Sequence, residues 1–144
     1  MKSTNNFLAV IIIILTVYWS FNSIIPSIPT NDTKLATTDF SLDNALYHLK
    51  NISKKPHHSG SGEHKVVQDY IVNELKKLQL NPEIQVQTAI NKKWRASTTT
   101  ENIVAKIKGT ENGKALLVLT HYDSNPHSSL GASDAGSGVV TILE

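Results

Sequence analysis

A run of six residues, ALLVLT at 115–120, constrains the chain more than any other stretch. It carries no polar side chain before its last residue, so as a strand it would present apolar groups to both faces of a sheet. Such strands belong to α/β architectures, in which helices cover both faces and ligands gather beyond the carboxyl ends of the strands. The residues after the run suit that position. His121 and Asp123 stand at its end, and a glycine-rich turn, GASDAGSG at 131–138, displays Asp134. Helical spacing resumes over 135–144, with Val139, Val140 and Leu143 in register.

The preceding elements supply the cover. Ser41 is placed to cap a helix whose Leu42, Leu46, Leu49 and Ile52 share one face. A loop, KKPHHSGSG at 54–62, leads into a second helix over 63–78, opened by Ser61 or Gly62 and striped by Val66, Val67, Tyr70, Ile71, Leu75 and Leu78. Asn81-Pro82 ends it. Two strands are expected at 83–89 and 102–107, antiparallel and separated by the polar stretch NKKWRASTTTE, and residues 109–113 read as a turn. The sequence contains no internal repeat.

The N-terminus is of another kind. Residues 7–25, FLAVIIIILTVYWSFNSII, are 19 uncharged residues; at ~1.5 Å per residue a helix of that length approaches the ~30 Å of a bilayer's hydrocarbon core. The fully apolar part, 7–17, has the length of a secretory h-region behind Lys2, but no small-x-small cleavage site comes after it, and Tyr18, Trp19 and Phe21 read as an interfacial belt. An uncleaved signal anchor is the favoured reading, with a cleaved signal peptide and a buried core helix as alternatives. Lys2 and the chain amine, against a distant Lys34, lean toward a cytoplasmic N-terminus and an extracytoplasmic or lumenal domain. The expected organisation is a tail at 1–6, a transmembrane signal anchor at 7–25, a proline-bearing polar linker at 26–40 and a domain over 41–144.

Composition narrows the chemistry. Fourteen Lys and Arg against twelve Asp and Glu leave a net charge of +2 with no basic stripe interleaved with aromatics, so nucleic acid is not an expected partner. With no cysteine, thiolate zinc sites and cysteine nucleophiles are excluded, and any metal must be held by His and carboxylates. Gly131, Gly136 and Gly138 do not fit G-x-G-x-x-G and no G-K-[ST] comes after them, which argues against nucleotide binding. No G-x-S-x-G elbow or evident His partner supports serine catalysis at Ser59, Ser61, Ser133 or Ser137.

His121 is a good candidate ligand for zinc, and Asp123 either a second ligand or the acceptor that fixes the tautomer of His121. An Asp displayed at 134 could bridge two ions, which together hold and ionise a water while polarising a carbonyl. A plainer reading stays open: a His and an Asp at a strand end also cap turns, and Asp134 directly precedes helical spacing, as an N-cap does.

Read in order, HHSGS before a helix, YIVNELKKLQL, ENIVAKIKGT, LLVLTHYDS and GASDAGSGVVTILE resemble the N-terminal part of the co-catalytic zinc peptidases of metallopeptidase family twenty-eight. The likeness is to their membrane-anchored branch in particular, the endoplasmic reticulum metallopeptidases and vacuolar membrane proteases. It implies an α/β fold, the N-terminal part of a mixed-sheet zinc-peptidase fold with helices on both faces, preceded here by one transmembrane helix. It implies aminopeptidase-like hydrolysis of peptide bonds through a metal-bound hydroxide, with a peptide as substrate and two zinc ions in the complete enzyme. On this resemblance His121 is a metal ligand, Asp134 the metal-bridging residue, Asp123 the carboxylate steadying His121, and the Asp134-Ala135 peptide is cis. His57, His58, His64 and His48 carry no implied metal role; His127, near His121, is weighed as a substrate-facing or gating residue.

The resemblance also implies a later acidic pair containing the general base, then an Asp and a His, none of which occurs by residue 144. Glu144 is assigned to the last helix. The 144 residues alone are therefore expected to be a partial chain, weak in zinc binding and inactive. Two other readings are kept: a non-catalytic ectodomain or interaction module of the same fold, and glutaminyl-cyclase-like acyl transfer. The oligomeric state is not legible from the sequence.

Overall fold

The computed structural model describes residues 2–25, 39–93, 95–111 and 113–144. They fall into two units divided after Thr38. Residues 26–38, most of the stretch read as a linker, lie outside the described residues.

The first unit is one helix, α1 (Lys2–Ile24). Within it Asn6–Ile24 is 19 residues long with a mean hydropathy of 2.1, and its side chains are not buried. A helix apolar on every face is satisfied only by an apolar surrounding, and by length and composition this one could cross a membrane.

The second unit starts with α2 (Leu42–Ile52) and α3 (Gly62–Lys77). Both begin where local chemistry places them: the Ser41 and Ser61 hydroxyls accept from the N–H groups of Asn44 and His64, two of the donors that a helix leaves without partners. Next come β1 (Glu83–Asn91), β2 (Ala96–Val104) and, after a long irregular stretch, α4 (Ser137–Leu143). The core gathers Ala45 and Ile52 of α2, Val67, Ile71 and Leu75 of α3, and Val139, Val140 and Leu143 of α4, with Ile103, Ala105 and Tyr122 packed against its edge. Each buried aliphatic side chain of this kind contributes about 1.5–3 kcal/mol, so the three helices are held mainly by one another.

The stripe expected on α3 is rotated. Val66 and Leu78 are exposed, and the buried face is His64, Val67, Gln68, Ile71 and Leu75, which keeps to the 3.6-residue period. Two polar residues occupy it because each finds a partner near residue 122.

The strands shift as well. β1 and β2 pair antiparallel from Glu83↔Val104 to Asn91↔Ala96, so β2 begins in the stretch expected to be a loop and ends before residue 107. Its Thr98, Thr99 and Thr100 are β-branched, and branched side chains favour the pleated conformation. The run 115–120 departs most from expectation. Among the described residues it joins no ladder and is not buried, with Leu116 at 89% and Leu119 at 76% exposure. A strand exists only through pairing, and the one sheet formed by the described residues is the two-stranded ribbon.

At its end the run meets α4 closely. A Cβ on Gly138 would collide with the Thr120 hydroxyl and lie 3.2 Å from Thr120 Cβ, so the bare backbone of α4 rests on this side chain. The helix starts at Ser137 rather than 135, because Asp134 (φ −128°, ψ 93°) and Ala135 (φ −121°, ψ 36°) leave helical conformation in a wide turn over Ala132–Gly136.

Candidate metal centre

Thr120 is where the chain changes character, from an exposed run to a loop fastened at several points. His121 leads that loop. Its Nδ1 lies 3.1 Å from both the backbone oxygen and Oδ1 of Asp123, and its Nε2 lies 2.9 Å from Oδ1 of Asp134. One imidazole thus spans two carboxylates, donating to both when protonated. Partial burial disfavours that charge, but the hydrogen bonds to Asp134 and to Asp123 and the nearby Asp123 charge outweigh it, and the His121 pKa is raised above its usual value. The site is open to solvent, with the His121 side chain 53% and that of Asp134 84% exposed.

The plainer reading of Asp134 does not hold. The N-cap position of α4 is Gly136, with no side-chain cap, and the Asp134 carboxylate turns to His121 instead. The Asp134-Ala135 peptide is cis, as the resemblance implies.

This donor set suits zinc. An imidazole nitrogen and a carboxylate oxygen face one another, while a second carboxylate engages the other ring nitrogen, the arrangement that fixes a ligating histidine's tautomer and orientation. No group of three or more His, Asp or Glu able to hold a metal occurs among the described residues.

The loop owes its position to contacts that no local motif announces. His57, from the loop between α2 and α3, is 2% exposed. Its backbone N–H donates to Ser124 Oγ at 2.8 Å, and the Ser124 N–H donates back to the His57 carbonyl at 3.3 Å. Its ring faces Gly131: a Cβ there would lie 3.0 Å from Ser124 Cβ and 3.1 Å from His57 Cε1, and Gly131 has φ 65°, in the left-handed region. Two residues on, the Ser59 hydroxyl donates to Asp123 Oδ2 at 3.3 Å.

A second set of contacts grips residue 122. The Tyr122 ring stacks on His64, with centroids 4.7 Å apart. Its hydroxyl donates to the Glu101 backbone oxygen at 2.7 Å and accepts from Gln68 Nε2 at 3.1 Å. Gln68 is 1% exposed and also donates to the Glu101 carboxylate, which is how an amide is accommodated on the buried face of α3. Burial raises the Tyr122 pKa, opposed by the Gln68 hydrogen bond and aided by Glu101 and Asp123; burial lowers that of His64, against Glu101 and Asp123, which raise it.

The remaining candidates lie elsewhere. His48 Nδ1 meets the Tyr70 hydroxyl at 2.7 Å, joining α2 to α3. His58 Nδ1 meets the Ser59 carbonyl. His127 sits on an exposed turn, its backbone N–H donating to Asn125 Oδ1. The Glu144 carboxylate accepts from the Ser41 N–H at the start of α2.

Comparison with known proteins agrees with the resemblance read from the sequence. Residues 102–144 match Peptidase family M28. The chain is similar to the vacuolar membrane protease of Candida tropicalis, with 30% identity over 111 residues covering 71% of this chain and 12% of that protein. It is also similar to that of Vanderwaltozyma polyspora, with 32% identity over 123 residues covering 71% and 13%. The chain thus spans about an eighth of the length of these curated relatives. Among solved structures it resembles Porphyromonas gingivalis glutaminyl cyclase, with a TM-score of 0.65 and 26% identity over 73% of this chain and 38% of that one. A Zn-dependent exopeptidase from Parabacteroides distasonis gives a TM-score of 0.58 and 24% identity over 75% and 41%. The fold class read from the sequence, α/β of the zinc-exopeptidase kind, is the class of these structures.

Proposed function

We propose that this chain provides the first part of the metal site of a membrane-associated zinc metallopeptidase with exopeptidase, aminopeptidase-like action on peptides. His121 and Asp134 are the metal ligands in this reading, Asp134 the one shared between two ions, and Asp123 orients His121. The observation that carries it is the single imidazole held between two carboxylates at the Thr120 end of the loop. Zinc bound there supplies a Lewis acid that polarises a peptide carbonyl and acidifies water. The chain's own part is to keep Nε2 of His121 aimed at the Asp134 oxygen by binding Nδ1 at Asp123. Two ligands fall short of the four zinc usually takes, so the 144 residues by themselves bind zinc weakly and turn over no peptide.

Residues 7–25 are retained as the anchor in this proposal, and residues 39–144 face the extracytoplasmic or lumenal side. The length and hydropathy of α1 support the anchor. A mature N-terminus near residue 27 or 31, read by N-terminal sequencing of membrane-extracted protein, would remove it.

The test of the metal assignment is zinc content. In the protein expressed from the natural gene and purified in detergent, His121→Ala and Asp134→Ala should each abolish the zinc retained by the wild type, and His58→Ala should not. Unchanged zinc in Asp134→Ala would overturn the assignment. The likeness to a glutaminyl cyclase supports a second reading, acyl transfer without hydrolysis. A peptide beginning with glutamine separates the two in cells overexpressing the natural gene: peptidase action frees the amino acid, whereas cyclisation releases ammonia and leaves the peptide bond whole.

A further inference from the structure

The Asp123 carboxylate has two oxygens, and orienting His121 uses one. Oδ1 faces His121 Nδ1, while Oδ2 accepts a hydrogen bond from Ser59, on the loop between α2 and α3. That loop is held against residues 121–131 independently of the serine. The reciprocal backbone and side-chain bonds between His57 and Ser124, both buried, lock positions 57 and 124 together, and the His57 ring fills the space beside Gly131. With 57 joined to 124, the residue two places on reaches the residue one place back, and hydroxyl meets carboxylate.

We infer that Ser59 is a positioning residue for the metal site, acting through Asp123: its O–H holds Oδ2, so that Oδ1 is presented to His121 Nδ1 and Nε2 is turned toward Asp134. A carboxylate bound at one oxygen only can swing about its χ angles and release the imidazole, whereas one bound at both is kept in a single orientation. At 3.3 Å the bond is long for a hydroxyl donor. Outer partners of this kind are worth about 10–100-fold in metal affinity. Ser59 is itself exposed and makes no contribution to the core, so its hydroxyl can be removed without disturbing the packing.

The inference rests on the proposal that His121 and Asp134 bind zinc, and its test separates the two. The protein expressed from the natural gene and purified in detergent is titrated with zinc against a chromophoric chelator, alongside a thermal melt in the absence of metal. Ser59→Ala should weaken zinc binding about ten-fold with the melting temperature unchanged, and Ser59→Thr, which keeps the hydroxyl, should restore binding. In an Asp123→Asn background Ser59→Ala should add nothing, since the residue through which it acts is already altered. If Ser59→Ala binds zinc as the wild type does while His121→Ala does not, the positioning role is overturned and the metal assignment stands. If the wild type and His121→Ala bind alike, the metal assignment falls and takes the inference with it. A lowered melting temperature in Ser59→Ala, or a Ser59→Thr variant that stays weak, would make Ser59 a structural residue and overturn the inference.

Discussion

The two halves of the stretch from Ala115 to Ser124 lie side by side in sequence and could hardly be more different in structure. Leu116, Leu117, Val118 and Leu119 are among the most apolar residues of the domain and are all exposed. Thr120 to Ser124 are more polar, yet they are tied down: Gly138 rests on Thr120, His121 lies between two carboxylates, Tyr122 is stacked and doubly hydrogen-bonded, and Ser124 is 2% exposed. Apolarity alone therefore does not bury a segment here. A segment is held by partners from other elements: His64 and Gln68 of α3, Glu101 of β2, and Asp134 and Gly138 about the start of α4.

This contrast can be attacked first at its support. Ile52, at 2% exposure, sits where α2 meets the core, and Ile52→Ala should cost about 2–5 kcal/mol of unfolding free energy in a urea titration followed by circular dichroism. A loss well under 1 kcal/mol would mean that the helices do not support the loop. Gly131→Ala probes the fastening more locally. A side chain there must adopt φ 65° and press on Ser124 and His57, an expected cost of about 1–3 kcal/mol by the same titration.

A smaller, pH-dependent effect should come from His64. Burial lowers its pKa, overcoming Glu101 and Asp123, which raise it, and assisted by His57 and His58, so the folded state prefers the neutral ring. The stability this preference contributes is complete above the unfolded value near 6.5 and is lost as pH falls through the lower folded value. His64→Phe keeps a ring against Tyr122 and should flatten the dependence of stability on pH in that window; an unaltered slope would show that other groups cause it. The smallest effect is expected on the other side of the contrast. Val118→Ser, at a position 62% exposed, should change stability by no more than about 0.5 kcal/mol, and a loss above 1 kcal/mol would reveal packing on the apolar run.

Legibility in the sequence divides along the same line. Ser41 and Ser61 mark helix starts because a cap is satisfied within three residues, and α2 and α3 lie within a residue or so of their expected positions. His121, Asp123 and Asp134 can be picked out because one short loop carries all three. Other features need information that no window contains. His57 is buried by partners 67 residues away, and Gln68 sits on the core face of α3 because residues 101 and 122 complete its hydrogen bonds. The neighbouring His58 turns its Nδ1 to the Ser59 backbone oxygen and leaves the hydroxyl alone, and the hydroxyl's actual partner is a carboxylate 64 positions on. Side chains alone make the run at 115–120 read as a buried strand, but pairing depends on a neighbour that side chains do not specify.

The close approach of Gly138 to Thr120 also bears on how such a chain can change over generations. Rotating the Thr120 hydroxyl away would still leave its Cβ 3.2 Å from any Cβ added at 138, so the two positions share one volume. Position 138 cannot drift alone: a side chain gained there has to be matched by atoms given up at 120, and the order of the two steps matters. A lineage that first shortens residue 120 passes through a small void, whereas one that first enlarges residue 138 passes through a steric clash one residue from His121. The accessible route is the first, and co-variation between these two positions is where a collection of relatives would record it.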